Sequence, residues 1–341
     1  MQFLRMPAAA LLFLAVWEVS ARIDDAWTDH APLLGLYDQS QLLTSDEFGI
    51  TGKPGAHFSK WQLNSLGFRG PELDPELPSD RARILCIGAS ETFGLYEPPG
   101  QEFPRQLELV LAPRYQVVNA ALPGQSLSSF ARRATRIIRQ VKPTLAVLYP
   151  SLAIYIDPPP ENFVMQHPPT APSAPMPRFR IAGKLFALLS DHTPAPFRTA
   201  LDRLQIQQQT GSQAVRDRIS ETNVDRFRRD LSRLLDILAT ERVQAVLVTH
   251  ATRFGDSAGP ADMPMLTAWR TLHPTLREAG FLDMEQRLNQ VIRQEATTRN
   301  LILADATALL RGPADFVEYV HFTPAGSAKL ARIIANEISR H

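Results

Sequence analysis

Apolar residues along this chain gather into short runs of strand length, separated by longer stretches with helical spacing. Five runs stand out: 84–87, 115–121, 145–149, 243–249 and 301–305. The clearest of them, Leu145-Ala146-Val147-Leu148-Tyr149, is apolar at every position. That suits a strand of a parallel sheet covered on both faces, whereas a half-exposed strand would alternate. Between the runs, apolar residues recur at three- and four-residue intervals and predict helices over 103–111, 128–141, 223–242, 263–279, 282–299 and 324–340. The fourth of these should break or kink at Pro274. Strands alternating with helices predict a doubly wound parallel α/β sheet.

Three stretches depart from that rhythm. Arg5 precedes a twelve-residue apolar run, Met6 to Trp17, that Glu18 closes. Such a run is short for a bilayer span, which needs about 20 residues, and fits the core of an export signal. Residues 1–21 are therefore expected to be a signal peptide or a membrane anchor, with Val19-Ser20-Ala21 offering a cleavage site. A buried amphipathic helix is disfavoured because the run shows little 3.6-residue period. Residues 22–80 contain no long periodic segment and read as an irregular lead-in with a short hairpin. Between Asp157 and Pro177, eight of 21 residues are proline, which excludes a helix interior or a central strand. Residues 157–215 are expected to be an insertion into the α/β domain (81–341), with at most short helices around 184–190 and 197–208. Such an excursion serves as a lid or binding loop, or else is a mobile surface loop.

Composition narrows the function classes. The chain has 341 residues, 44% of them apolar, enough for a large packed core. Lys and Arg total 36 against 35 for Asp and Glu, so no global field attracts nucleic acid. The basic face of the 128–141 helix (Arg132, Arg133, Arg136, Arg139) is expected to be solvated. The single cysteine, Cys86, lies within the first strand and reads as a buried hydrophobe, not as a thiol nucleophile. Neither GxGxxG after a strand nor GxxxxGK[ST] occurs, and no His/Cys/Asp cluster has zinc spacing, so no cofactor or metal is called for.

The chemistry of interest lies at the end of the first strand, in Ile87-Gly88-Ala89-Ser90. Side chains just past the carboxyl end of a strand face the ligand crevice of an open α/β sheet. Ser90 is either a nucleophile or the N-cap of a tight turn. A nucleophile needs a base, and the base an orienting group. Most of the eight histidines lie in the lead-in, the insertion, a helix or the terminus; His250 and His321 remain. His321 precedes the last helix, and Glu318 three residues earlier can accept from one ring nitrogen. His250 and Arg253, at the end of the fourth strand, either line the crevice or cap that strand. Arg69, in the turn-rich segment 64–72, is expected to form a surface ion pair.

These blocks in this order (Gly88-Ala89-Ser90, Asn119 to Gly124, and Glu318-x-x-His321 with Thr323, Pro324 and Gly326) resemble the SGNH, or GDSL-like, hydrolases. The resemblance spans roughly 60–155 and 225–341, and includes a lead-in at 64–72 found in exported or membrane-anchored bacterial members. It implies a three-layer α/β/α sandwich with a five-stranded parallel sheet of flavodoxin-like type. It also implies Ser90 as nucleophile, His321 as base, Glu318 as its orienting carboxylate, and the amides of Ser90 and Gly124 as oxyanion donors. The sequence departs from the family in three places. Ala89 replaces an Asp, Glu318 replaces an Asp, and no Gly-x-Asn-Asp block follows the third strand. Tyr149-Pro150-Ser151 stands there instead, leaving Ser151 to supply a hydroxyl donor. The implied activity is ester hydrolysis or acyl transfer on an ester or acylated carbohydrate outside the cytoplasmic membrane, such as an O-acetylated envelope or secreted polysaccharide. The alternative is a non-catalytic binding or assembly protein tethered at the membrane by residues 1–21.

Overall fold

The computed structural model describes residues 5–29, 31–34, 37–158, 179–181, 184–185, 195–211, 214–255 and 257–341. In chain order the elements are α1 (Arg5–Asp29), β1 (Leu43–Asp46), β2 (Gly49–Gly52), β3 (His57–Phe58), β4 (Trp61–Gln62), β5 (Ala82–Gly88), α2 (Ser90–Phe93) and α3 (Phe103–Leu111). They continue with β6 (Tyr115–Asn119), α4 (Leu127–Val141), β7 (Leu145–Tyr149), α5 (Ala195–Thr210), α6 (Glu221–Thr240) and β8 (Gln244–Val248). The chain closes with α7 (Met263–Arg270), α8 (Glu278–Arg299), β9 (Ile302–Ala304) and α9 (Pro324–Arg340).

Strands β5 to β9 form one parallel sheet in the order β6-β5-β7-β8-β9. Period-2 alternation sends successive side chains to opposite faces, and here both faces are apolar. Leu85, Ile87, Ala146, Leu148, Ala245 and Leu247 join the core beneath α4, α6 and α8. Ile84, Cys86, Val147, Tyr149, Val246 and Val248 join the core beneath α3 and α9. The result is the expected three-layer α/β/α sandwich of flavodoxin-like strand order. Cys86 is fully buried, and burial pushes its thiol far above the ordinary range.

The helices form for reasons readable in the chain. Ser126 caps α4 by accepting from the Ser129 amide, and Leu127, Phe130, Ala134, Ile137, Ile138 and Val141 then point inward. Ser220 caps α6 likewise, with Val224, Phe227, Leu231, Leu234, Leu235 and Leu238 buried along one stripe. Thr323 caps α9 and Pro324 occupies its first turn. As Pro274 foretold, the segment after β8 divides: α7 ends at Arg270, and α8 starts at Glu278, earlier than its apolar spacing suggested.

Several expectations change. The lead-in holds two small antiparallel ribbons, β1–β2 and β3–β4, where one hairpin was expected. The basic face of α4 is not simply solvated. Arg133 is buried, Arg133 and Arg136 both pair with Asp46 of the first ribbon, and Arg132 donates to the Phe48 carbonyl at 3.3 Å. A charge run read alone shows cations but not the carboxylate the fold carries to them. Helix α1 continues through residue 21 to Asp29 without a break, and Glu18 accepts from the Ile181 amide at 3.1 Å. Among the described residues no helix is long and apolar enough to cross a membrane. In the insertion, α5 is 16 residues long, exceeding the short helix expected there, and it packs against α7. The proline-rich tract at 159–178 and the helix expected at 186–190 lie outside the described residues.

Candidate functional site

The strand order places a topological switch beside β5: its two sheet neighbours are β6 and β7, reached in opposite directions. Crevices at the carboxyl ends of strands form at such points. Gly88 pairs with Tyr149 across β5 and β7, which sets the loops carrying Ser90 and Ser151 side by side. Gly88 permits the close turn there. A Cβ at this position would lie 2.0 Å from Thr92 Oγ1 and 2.5 Å from the Tyr149 carbonyl oxygen. Ser90 is the first residue of the single turn α2, and the cap position belongs to Ala89, so Ser90 is not the N-cap. Gly124 lies in the loop after β6 with φ +75°, and nothing stands within 4 Å of where its Cβ would be. That leaves its backbone accessible at the same edge.

The Ser90 hydroxyl donates to Glu91 Oε2 at 3.2 Å. Glu91 is almost fully buried, and its other oxygen accepts from Ser151 Oγ at 2.8 Å and from His250 Nε2 at 3.3 Å. On the far side of the ring, His250 Nδ1 meets Glu285 Oε2 at 2.8 Å. The His250 backbone is gripped by Asn289, which accepts from its amide at 2.7 Å and donates to its carbonyl at 2.8 Å. Burial would strip the proton from His250, but the two carboxylates outweigh it and raise its pKa to about 10. Burial likewise opposes the Glu91 charge, yet His250, aided by the charge of His321, holds that carboxyl at about 2. Glu285, dominated by burial, is pushed up.

His321 lies in the loop before α9, where Phe316 and Phe322 close an antiparallel bridge. Its Nδ1 donates to Glu318 Oε1, and the same carboxylate accepts from its backbone amide at 3.1 Å. Nε2 is buried and has no hydrogen-bond partner among the described residues. The ring packs on Tyr96, six residues after Ser90, at 5.1 Å between centroids. Burial would lower the His321 pKa, but Glu318, Glu91 and Glu97 outweigh it and raise it. A neutral imidazole so bonded presents a free lone pair on Nε2, the form a general base needs.

The structure thus brings Ser90, Glu318, His321, Gly124 and Ser151 to one edge of the sheet, with two differences from expectation. No hydrogen bond joins Ser90 to His321; the serine hydroxyl is given to Glu91. Ser151 does not offer its hydroxyl to the crevice, because Glu91 takes it. His250 neither lines an open crevice nor merely caps β8: it lies 2% exposed beneath the serine loop as a link between two carboxylates. Arg253 is half-buried, and its backbone ties the β8 loop to the His321 loop by donating to the Tyr319 carbonyl at 3.0 Å.

Arg69 overturns its expected role as well. It is buried, donates to the carbonyls of Phe93, Gly94 and Glu97, and pairs with Glu102 at 3.3 Å. It fastens the lead-in to the turn that carries Ser90. Glu97, also buried, accepts from Ser327 of α9, and its carboxyl is pushed up by burial. Sequence reading missed Glu91, Glu285, Asn289 and Glu97. The one available signal was a carboxylate immediately after a crevice serine. A cavity of about 620 Å³ lies between α5 and α7 and includes neither Ser90 nor His321. Among the described residues no cluster of His, Cys, Asp or Glu could hold a metal ion.

No family model matches the chain, and no curated protein matches it. Solved structures of similar fold include a lipase/acylhydrolase from Enterococcus faecalis, at 16% identity and TM-score 0.44, covering 76% of this chain and 96% of that one. A GDSL-like lipase from Bacteroides thetaiotaomicron is similar at 13% identity and TM-score 0.41, covering 79% and 90%. A member of the lipolytic G-D-S-L family from Veillonella parvula is similar at 10% identity and TM-score 0.39, covering 76% and 96%.

Proposed function

We propose that this chain is a serine ester hydrolase of the SGNH type. The observation that carries the reading is His321, whose Nδ1 is engaged by Glu318, whose buried Nε2 has no partner among the described residues, and whose ring packs on Tyr96, six residues after Ser90. In the reaction Ser90 Oγ attacks the ester carbonyl and His321 Nε2 takes its proton. Glu318 holds the ring and favours the imidazolium that forms. The amides of Ser90 and Gly124 receive the negative charge of the tetrahedral oxygen. His321 then returns the proton to the departing alcohol, and water, activated the same way, releases the acid. The alcohol of a second substrate in place of water makes the same site an acyl transferase.

The test is labelling of the full chain by a fluorophosphonate, together with hydrolysis of a short-chain aryl ester. Label on Ser90 and loss of turnover in Ser90→Ala and His321→Ala are expected. Absence of label on correctly folded protein sinks the reading. The hydroxyl of Ser90 resting on Glu91 favours a second reading, a non-catalytic binding or assembly protein. Under that reading no label forms and Ser90→Ala leaves the biological role intact.

Two finer points belong to the same proposal. Residues 1–21 act as an export signal or anchor, a reading supported by the exposed apolar side chains of Leu12, Phe13, Val16, Trp17 and Val19; cell fractionation with and without these residues tests it. An exported esterase of this kind acts on an acylated carbohydrate, and release of acetate from an O-acetylated envelope polysaccharide checks it.

A further inference from the structure

The polar groups beneath Ser90 converge on one carboxylate. Glu91 accepts from the Ser90 hydroxyl, the Ser151 hydroxyl and His250 Nε2. An ionised carboxylate can only accept, so it fixes the rotor of each hydroxyl aimed at it. His250 cannot turn away: Asn289 holds its backbone on two sides, Glu285 holds Nδ1, and Tyr149 packs on the ring at 5.2 Å. Glu285 Oε1 has no partner among the described residues, and the residue lines a polar cavity of about 140 Å³ with Thr252, Gln286, Arg293 and Thr307. At about 30 Å³ per molecule that volume accommodates a few waters.

We propose that Glu91 is a positioning residue for Ser90, kept ionised by an obligatory partner, His250, which Glu285 and Asn289 lock in place. The proposal rests on the serine-nucleophile reading. Glu91 competes with His321 for the Ser90 proton. Paired to His250 it is too weak a base to take that proton, so it orients the hydroxyl without activating it. His321 Nε2 does the activating once the hydroxyl swings to it. Ser90 keeps its proton on Glu91 until a substrate carbonyl occupies the crevice.

The charges facing these groups set the pH behaviour. Around His321 stand Glu318, Glu91 and Glu97, with Tyr96 and Tyr319, both tyrosines raised by burial and neutral. Around Glu91 stand His250, His321 and Glu285, with Tyr149, also neutral. Removing the Glu91 charge lowers the pKa of His321 and moves the acid limb of the rate profile to lower pH. A role confined to packing would not move that limb.

The experiment uses the full chain with an aryl ester and measures kcat and KM across pH for Glu91→Gln, Glu91→Asp and His250→Gln. Glu91→Gln is expected to lose about 10- to 100-fold in kcat, the scale of a misplaced reacting group, with KM little changed and the acid limb displaced downward. Glu91→Asp should recover part of kcat and restore the limb. His250→Gln should add a second ionisation near neutral pH as Glu91 loses its partner. Side-chain nitrogen NMR gives a readout that needs no turnover: His250 should keep both ring nitrogens protonated from pH 6 to 8. A wild-type kcat and limb in Glu91→Gln, or a neutral His250 in that range, overturns the proposal. If the wild type takes no phosphonate label, the hydrolase reading fails, while the His250 resonances still decide whether the charged clamp exists. If Glu91→Gln does not fold, the wild-type resonances and the His250→Gln profile decide.

Discussion

Two histidines feel the charge of the same carboxylate, Glu91, and their surroundings differ. His250 has both ring nitrogens occupied, by Glu91 and Glu285, and lies 2% exposed. His321 has one nitrogen occupied, by Glu318, and the other buried and without a partner among the described residues. A histidine engaged on both sides stores charge and cannot exchange protons with a substrate. One engaged on a single side is held in a known tautomer and keeps a lone pair for work. What separates the two histidines is the number of partners, since each ring has at least one carboxylate beside it.

Exchanging the two roles by mutation breaks the comparison most sharply. His321→Ala should cost about 10³- to 10⁴-fold in kcat/KM toward an aryl ester while the melting temperature changes little. His250→Ala should do the reverse to stability: two buried carboxyl groups lose their shared cation, a loss of about 3–5 kcal/mol measurable by denaturant unfolding. Should His250→Ala unfold like the wild type, the buried clamp is not ionic.

Glu318→Gln probes the single-sided histidine more gently. It keeps the shape, removes the charge that raises the His321 pKa, and should lower kcat by about a hundredfold while moving the acid limb downward. A general base works only when neutral, and the His321 pKa is raised, so kcat/KM should climb with pH through a midpoint above the ordinary histidine value of 6.5. A midpoint below it contradicts the arrangement.

The double-sided histidine has its own pH signature. His250, raised from 6.5 to about 10, contributes stability that is full below pH 6.5 and lost as pH rises toward 10. Glu91, lowered from 4.5 to about 2, contributes stability that is full above pH 4.5 and lost as pH falls toward 2. The His250 and Glu91 contributions are therefore both full between about pH 4.5 and 6.5, and His250→Gln should flatten the alkaline side of the unfolding profile. The smallest effect is expected far from either histidine. Asp46→Ala frees Arg133 and Arg136 of α4 and should cost about 1 kcal/mol, because Arg136 is half exposed and only Arg133 is buried. No change in activity should accompany it.

The sequence was legible wherever a rule is local. The apolar runs predicted the strands, helical spacing predicted α3, α4, α6 and α9 to within a few residues, and Pro274 predicted a break between α7 and α8. Ser90 and the Glu318–His321 pair were legible because one sits at a strand end and the other spans three residues of a single loop. Arg69, Arg133 with Asp46, and Ser151 were misread because their partners lie 24 to 87 residues away in sequence. Burial, which decides whether an ion pair is ornamental or structural, is not written in a local pattern.

By itself, then, the chain determined a five-stranded parallel α/β architecture and the loops in which its reactive side chains stand. Hydrophobic periodicity and capping act over a few residues, and those few residues are always visible together. Only the tertiary structure decided that the hydroxyl of Ser90 rests on Glu91, that Ser151 serves the same carboxylate, and that His250 is buried between two carboxylates while His321 Nε2 has no partner among the described residues. Those outcomes depend on the parallel register that sets β5, β7 and β8 side by side and on α8 laying Glu285 and Asn289 against the end of β8. The charge state of a buried group is the sum over every neighbour the fold brings near, and no stretch of sequence contains that sum.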